Sequence, residues 1–465
     1  MTSAIAPERG STALEQLHAL IAGEVVLPGG EEWDAARQAW NLAADQHPAA
    51  VVFPESAEDV VRIVDHARDA GMRLTAQGTG HFATTLDSLE DTILVRTTRM
   101  RGIEIDPVRR RARAEAGVVW AEVSLAAAEH GLAGLSGSAG DVGVVGYTLG
   151  GGIGWLGRRY GLAANSVLAV ELVTADGRHV RADADHESDL FWAVRGGGGS
   201  FGIVTAIEFA LYPVAEVYAG ALFFPFERGA EVLDAWRAWT KGTPPELTSA
   251  ARLMQFPPIP DLPEHLRGRS FVVVEAVFLG SEEAGAELIR PLRQLGPDTD
   301  TFATIPASEL RHLHMDPPHP VPGAGDGMTL AGLSREGIDA LVEAAGPGSG
   351  SPLLSVELRQ LGGAFAEASP GHGAVGTLDA EFALFAVGMA PTAAADAAVR
   401  AHVGAVKEKL AAWEDDRGYF NFADGPRDGA GLFPQETYRA LQAVKAIHDP
   451  GELFRASHPV RPARV

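Results

Sequence analysis

Residues 76–85 read AQGTGHFATT, two glycines, small residues and a histidine crowded into one short turn. Just upstream, SAEDVVRIVDHARDAGMRL (56–74) carries apolar residues at helical spacing, opens on Ser56, an N-cap residue type, and stops at Gly71 before a short apolar run. AAVVFPES (49–56) reads as a strand. Strand, helix and strand over 49–76 deliver QGTGH (77–81) at a strand's end, where α/β folds place ligand loops. The position of His81 therefore calls for a ligand.

At 465 residues the chain is long enough for two or three domains. Its net charge of -23 repels nucleic acid and anionic membranes, so neither is an expected partner. With no cysteine, disulfides, thiolate metal sites and cysteinyl links are excluded. The opening MTSAIAPERGSTALEQL lacks a signal-peptide core and no later run is long and apolar enough to span a bilayer, so a cytoplasmic protein is expected.

DTILVRTTRM (91–100) and RGIEIDPVRRRARAEAGVVW (101–120) alternate as short strands do, and AEVSLAAAEHGL (121–132) is helical. Beyond 215, VYAGALFFPF, RSFVVVEAVFLG, SVELRQLGG and EFALFAVGMAP read as strands, with GAEVLDAWRAWT as a helix between the first two. The stretch 311–330, RHLHMDPPHPVPGAGDGMTL, reads as one long loop. The expected divisions are an N-terminal helical segment (1–44), a first lobe (45–215), a second α+β lobe (216–410) and a C-terminal segment (411–465).

Three glycine-rich segments fall in the first half: QGTGH (77–81), GDVGVVGYTLGGGIGWLGRRYG (140–161) and RGGGGSFGIVT (195–205). Glycine lets the backbone approach a ligand closely, and successive N–H groups can cradle a pyrophosphate without lysine. Such loops suit one extended dinucleotide. Gly152, Gly154 and Gly157 have G-x-G-x-x-G spacing, but no clean strand precedes them and Glu171 lies inside an apolar run, against a Rossmann reading. Plain surface turns are the bland alternative.

GTGH, GYTLGGGIGWLGRRYGLAANSVLAVELVTADG (146–177), DLFWAVRGGGGSFGIVT (189–205), YFNFADGP (419–426) and YRALQAVKAIHDPGELFRASHPV (438–460) resemble the berberine bridge enzyme-like and 6-hydroxy-D-nicotine oxidase-like flavoprotein oxidases, of the vanillyl-alcohol-oxidase or p-cresol-methylhydroxylase type. The resemblance covers about 45–215 and the last fifty residues. It implies an α+β, two-lobe FAD-binding fold whose substrate lobe is built on an antiparallel sheet. It also implies that Gln77, Gly78, Thr79, Gly80 and His81 wrap the FAD pyrophosphate, with His81 bonded covalently to the flavin. Gly143, Gly146, Tyr147 and Gly150 are then expected along the flavin, Gly202, Ile203 and Val204 to touch the cofactor through the main chain, and Asn421 to bring the tail back to it.

Departures from the pattern bear on chemistry. A second tether would need a cysteine near Ala139, and none exists, so His81 is the sole possible anchor of the two. Relatives that oxidise alcohols carry a tyrosine where this chain has Phe422, and another tyrosine after the glycine triplet is here Ile153. Both changes delete a hydroxyl. Oxidising an alcohol requires removal of its O–H proton, whereas a neutral amine can give up hydride without a base.

If a base exists, candidates are Glu357, which shares a strand face with Arg359 while Gln360 faces the other way, Tyr419, and the loop residues His312, His314 and His319. His312 and His314, two apart on a strand, would point the same way and raise a metal reading with Asp316 and His319, though the spacing is unconvincing and no metal is expected. Phe191 and Trp192 read as core aromatics. The expected function is an FAD-dependent oxidase acting on a small molecule with a C–H next to N or O, amine slightly preferred, reoxidised by O2. A dehydrogenase or a secondary-alcohol or sugar oxidase of the same fold, and a non-catalytic flavin-binding protein, are the alternatives.

Overall fold

The computed structural model describes residues 14–463 apart from 15, 87 and 261; the first part of the expected N-terminal segment and the last two residues of the C-terminal one lie outside it. Three sheets organise the chain. The first has the order Glu24–Val26, Ala50–Phe53, Thr92–Arg96, Arg73–Gln77. The last three strands run parallel, and Glu24–Val26 pairs antiparallel with Ala50–Phe53. Residues 1–44 thus supply an edge strand as well as helix, a correction to the purely helical expectation.

The helix Ala57–Ala70 forms as its sequence specifies. Ser56 Oγ accepts the Asp59 N–H, and Gly71 ends the helix in the left-handed region at φ 67°. Val60, Ile63, Val64 and Ala67 bury one face against the sheet. Asp59, 2% exposed, accepts N–H bonds from Ala22, Gly23 and Glu55 and so ties the N-terminal segment to the helix start.

The second sheet is antiparallel, in the order Ile103–Asp106, Arg111–Glu115, Ile203–Ala210, Val167–Val173, His179–Asp183. The third is an eight-stranded antiparallel sheet whose centre is Ser270–Phe278, Leu247–Gln255, Leu353–Gln360 and Phe382–Met389. Its outer strand Gly323–Leu330 occupies the end of the stretch expected as one long loop; loop character stops near Pro322 because the alternating small and apolar residues that follow pair along Phe382–Met389.

One face of the large sheet is covered by the helices Gly229–Thr240, Arg335–Ala345 and Ala393–Leu410, through Trp236, Leu341, Val403 and their neighbours. Strand alternation sends Val356 and Leu358 into that core and Glu357 and Arg359 to the opposite face. Gln360 lies on the helix side, bonded to Ser249 and Thr243.

The C-terminal segment returns to the first sheet. Leu74 N–H donates to Leu453 O and Arg455 N–H to Leu74 O, beside the strand that leads into QGTGH. Buried Lys445 fastens this segment by donating to Ser200 O and Asp449. Among the described residues no helix is long and apolar enough to cross a membrane.

Candidate active site

The turn 77–81 leaves the strand Arg73–Gln77 and is fixed by residues far from it in sequence. Trp40 N–H donates to Thr79 O (3.0 Å) and Asn41 N–H to Gly80 O (3.4 Å). Gly80 has φ 91°, and a Cβ there would press on Gln77 Nε2 and Ala39, so glycine is required. Asn41 also bonds Gly323 on the large sheet, through its amide N to Gly323 O (2.9 Å) and its amide O to Gly323 N (3.1 Å). One short segment therefore joins the turn to the second lobe.

His81 is held on three sides. Its ring stacks on Trp40 at 4.0 Å and 17°. Nδ1 lies 2.7 Å from Thr79 Oγ1, and Nε2 lies 3.5 Å from Asp141 Oδ1. The other Asp141 oxygen accepts the Trp40 indole N–H at 2.6 Å. Partial burial favours the neutral acid, but His81 and Trp40 outweigh it and hold the Asp141 pKa below the usual carboxylate value.

Asp141 leads into the short helix Val144–Leu149 and the triplet 150–152. Gly143 and Gly146 face open space where a Cβ would meet nothing within 4 Å. Gly150 is the opposite case, since a Cβ would collide with Asn421 Oδ1. Gly154 packs on Ser136 O and Gly157 on the Phe365 ring. No strand precedes them, and Glu171, inside Val167–Val173, is paired with Arg113 at 2.6 Å. These glycines serve close packing, which overturns both the dinucleotide-fingerprint and the surface-turn readings.

The tail locks onto this segment. Asn421 donates to Tyr147 O (2.9 Å) and to the Tyr419 hydroxyl (3.1 Å). That hydroxyl also accepts the N–H groups of Gly152 (3.0 Å) and Ile153 (2.8 Å). With three donors on its oxygen, and burial pushing its pKa to about 12, Tyr419 is a structural clasp, a correction to its candidacy as a base. Gly202 ends the third glycine segment against Val173 O. Ile203 and Val204 pair with Val173 and Leu172 on one side, and their other flank runs past the end of Arg111–Glu115.

On the large sheet, five charged groups form a buried chain. Arg252 pairs with Glu275 at 2.6 Å, Glu275 with His314 Nδ1 at 2.7 Å, and His314 Nε2 with Glu357 at 2.7 Å. The other Glu357 oxygen takes the Arg359 Nε–H. Arg359 continues to Ser138 Oγ (3.2 Å) in the first lobe, and its guanidinium lies over the Phe422 ring at 5.4 Å. Burial and Arg252 oppose a charge on His314, but Glu275, Glu357 and Asp316 prevail and raise its pKa to about 9. Burial opposes the Glu357 charge too, yet Arg359 and His314 hold its pKa well below the normal range. Glu357 is therefore a clamped anion, a poor proton acceptor, which corrects its candidacy as a free base.

His312 and His319 are exposed, and His312 ends a short 3-10 turn (Ala307–His312), so it does not share a strand face with His314. Among the described residues the one group with metal-like spacing is Glu187, Asp189 and His448, which includes none of the loop histidines. Phe191 packs in the core of the first lobe, with Trp192 against its edge.

Several buried polar atoms in this region lack a hydrogen-bond partner: both amide atoms of Gln77, Tyr147 OH and Trp155 Nε1. Unpaired buried groups are costly, and together with the open faces of Gly143 and Gly146 they fit a bound FAD that would cover them. Trp40, Asp141, Arg252, Glu275 and Ser138 were not found from sequence. Asp141 lies within a quoted glycine segment; Trp40 carries no local signal.

Fold and site together define a flavoprotein with an FAD lobe closed by an antiparallel lobe. Residues 48–183 match the FAD binding domain family, and the chain carries the fold of the berberine bridge enzyme-like FAD-linked oxidases. It is 36% identical over 192 residues to (R)-6-hydroxynicotine oxidase of Paenarthrobacter nicotinovorans, covering 41% of this chain and 42% of that one. Among solved structures it is similar to 6-hydroxy-D-nicotine oxidase from Arthrobacter nicotinovorans (TM-score 0.81, 26% identity, 95% of this chain and 98% of that chain). It is also similar in fold to Physcomitrella patens BBE-like 1 (TM-score 0.85, 22% identity, 97% and 100%). The chain spans less than two thirds of the length of the first curated relatives it matches.

Proposed function

We propose that the protein is an FAD-linked oxidase that takes a hydride from a C–H next to nitrogen in a small amine, with His81 as the sole covalent tether and O2 as the acceptor. Bound FAD would supply the two-electron acceptor that no side chain can provide. The turn 77–81, the open helix face at Gly143 and Gly146, and Asn421 would hold it.

The observation that carries the amine reading is that the buried candidate bases are engaged, while His312 and His319 face solvent. Glu357 is shared by His314 and Arg359, His314 lies between two carboxylates, and the Tyr419 oxygen accepts three hydrogen bonds. An alcohol would need one of them to take its proton, while a neutral amine needs none. Tyr147, half-buried with its hydroxyl enclosed and its pKa raised well above the usual tyrosine value by desolvation, supports substrate binding as an O–H donor. Ile153, Phe422 and Phe365 give the surrounding cluster an apolar wall that excludes water.

Anaerobic mixing of the purified yellow protein with panels of amines, secondary alcohols and sugars tests this. Bleaching by amines, with hydrogen peroxide formed on readmitting air, is expected. Bleaching by alcohols or sugars alone would overturn the amine preference. Reoxidation by air far slower than turnover would favour the dehydrogenase, and no bleaching by any class the non-catalytic flavoprotein.

A further inference from the structure

We propose that Asp141, oriented by Trp40, is the positioning residue that prepares His81 for its own attachment to the flavin. The proposal rests on the reading of His81 as the tether.

The carboxylate is placed by two independent contacts. Its Oδ2 is fixed by the Trp40 indole N–H at 2.6 Å, which leaves Oδ1 directed at His81 Nε2, 3.5 Å away. Trp40 is itself fixed, because its backbone N–H is bonded to Thr79 O inside the turn and its ring stacks on the imidazole. Thr79 Oγ1 lies against the other ring nitrogen, Nδ1. Imidazole, indole, hydroxyl and carboxylate therefore form one closed cycle around the histidine. Asp141 is half-buried and Nε2 is buried with no hydrogen-bond partner, so bulk water does not screen the pair fully.

The chemistry follows from which nitrogen carries the proton. A carboxylate beside Nε2 favours the tautomer with the proton there and leaves Nδ1 unprotonated, accepting the Thr79 O–H bond; once that hydroxyl turns away, the Nδ1 lone pair is the nucleophile. One C–H bond of the methyl at position 8 of the flavin ring breaks, its proton leaving to solvent and its electron pair passing into the oxidised ring, and a bond forms between that carbon and the Nδ1 lone pair. The imidazolium so formed is stabilised by Asp141, which takes the Nε2 proton and passes it to solvent. The flavin is the oxidant: it keeps the two electrons of the broken C–H bond and takes up from solvent two protons in place of the two released. Dioxygen then restores it, leaving as hydrogen peroxide.

The same contacts could serve only to hold the turn, and the choice of variants separates the roles. Asp141→Asn keeps an oxygen for the Trp40 N–H and removes the charge, whereas Asp141→Glu keeps the charge. The full-length protein, purified with FAD, is followed by total flavin absorbance and by the flavin that stays with the acid-denatured chain, read as gel fluorescence and intact mass. Asp141→Asn should bind FAD but form the covalent bond about 100-fold more slowly, and Asp141→Glu should recover most of the loss. Covalent attachment in Asp141→Asn at the wild-type rate and extent overturns the proposal. If Asp141→Asn fails to hold FAD, Trp40→Phe decides, because it keeps the ring stack and deletes only the N–H; an unchanged attachment rate there likewise overturns it. Loss of all flavin from denatured wild-type protein, or a bond surviving in His81→Ala, removes the tether reading and this proposal with it. An unlinked His81→Ala beside a fully linked Asp141→Asn removes the proposal alone.

Discussion

His314 sits between Glu275 and Glu357 with an ion-pair distance of 2.7 Å to each, bridging two carboxylates that would otherwise repel inside the protein. The imidazole belongs to a loop and the carboxylates to two strands, so its charge pins the loop onto the large sheet. That arrangement governs how the molecule should respond to pH and to substitution.

The His314 pKa is raised in the folded protein from 6.5 to about 9. Its contribution is therefore fully present below pH 6.5 and lost as pH rises through about 9. Urea unfolding at pH 6 and pH 10 should differ by on the order of 3 kcal/mol from this group, a difference that His314→Gln abolishes. Equal stability at both pH values in the wild type would contradict the bridged geometry.

Removing the Glu357 charge should leave Arg359 and His314 buried without their shared partner. Glu357→Gln is expected to cost about 3–5 kcal/mol in stability, far more than a surface change. Glu357 has its pKa lowered, so its contribution is present above the unfolded carboxylate pKa and is lost as pH falls through the folded value. Thermal unfolding followed from pH 7 to pH 3 should show the gap between wild type and variant narrow below the unfolded carboxylate pKa without closing by pH 3.

Tyr419→Phe removes the acceptor of three donors, the N–H groups of Gly152 and Ile153 and the Asn421 amide. A loss of about 1–3 kcal/mol is expected. Because the phenol has its pKa raised to about 12, no ionisation of Tyr419 should appear in the pH–rate profile below pH 11, and the variant's profile should keep the wild-type shape.

Gly146, inside the short helix, and Gly150, at its C-cap, give a paired test. Gly146→Val adds atoms to an open face, so the chain should fold while its flavin content at equal protein falls. Gly150→Ala drives a methyl into Asn421 and should lower thermal stability as well as flavin content. Flavin-to-protein absorbance ratios and melting curves separate the two outcomes.

The turn at 77–81, the helix from Ser56 to Gly71 and the strand carrying Glu357 and Arg359 were legible because each rests on local rules: a cap, a left-handed glycine, a period of two or 3.6. The loop histidines were not. His312 and His314 are two apart, but the 3-10 turn before Leu313 cancels the alternation a strand would impose and sends one to solvent and the other between two glutamates. Tyr419 stands among the candidate bases by residue type alone, which does not reveal how many donors converge on its oxygen.

By itself the sequence pointed to an extended dinucleotide through its glycine segments and, through the family those segments resemble, to FAD, and it excluded any thiol for a second link. Tertiary structure alone decided the company each group keeps. Trp40 and Asp141 reach His81 from 41 positions before and 60 after. Glu275 and Glu357, on strands separated by Leu247–Gln255, meet His314 only because the large sheet and a folded-back loop converge. Charge state, proton position and freedom to react depend on neighbours within a few ångströms, and distance along the chain does not encode them.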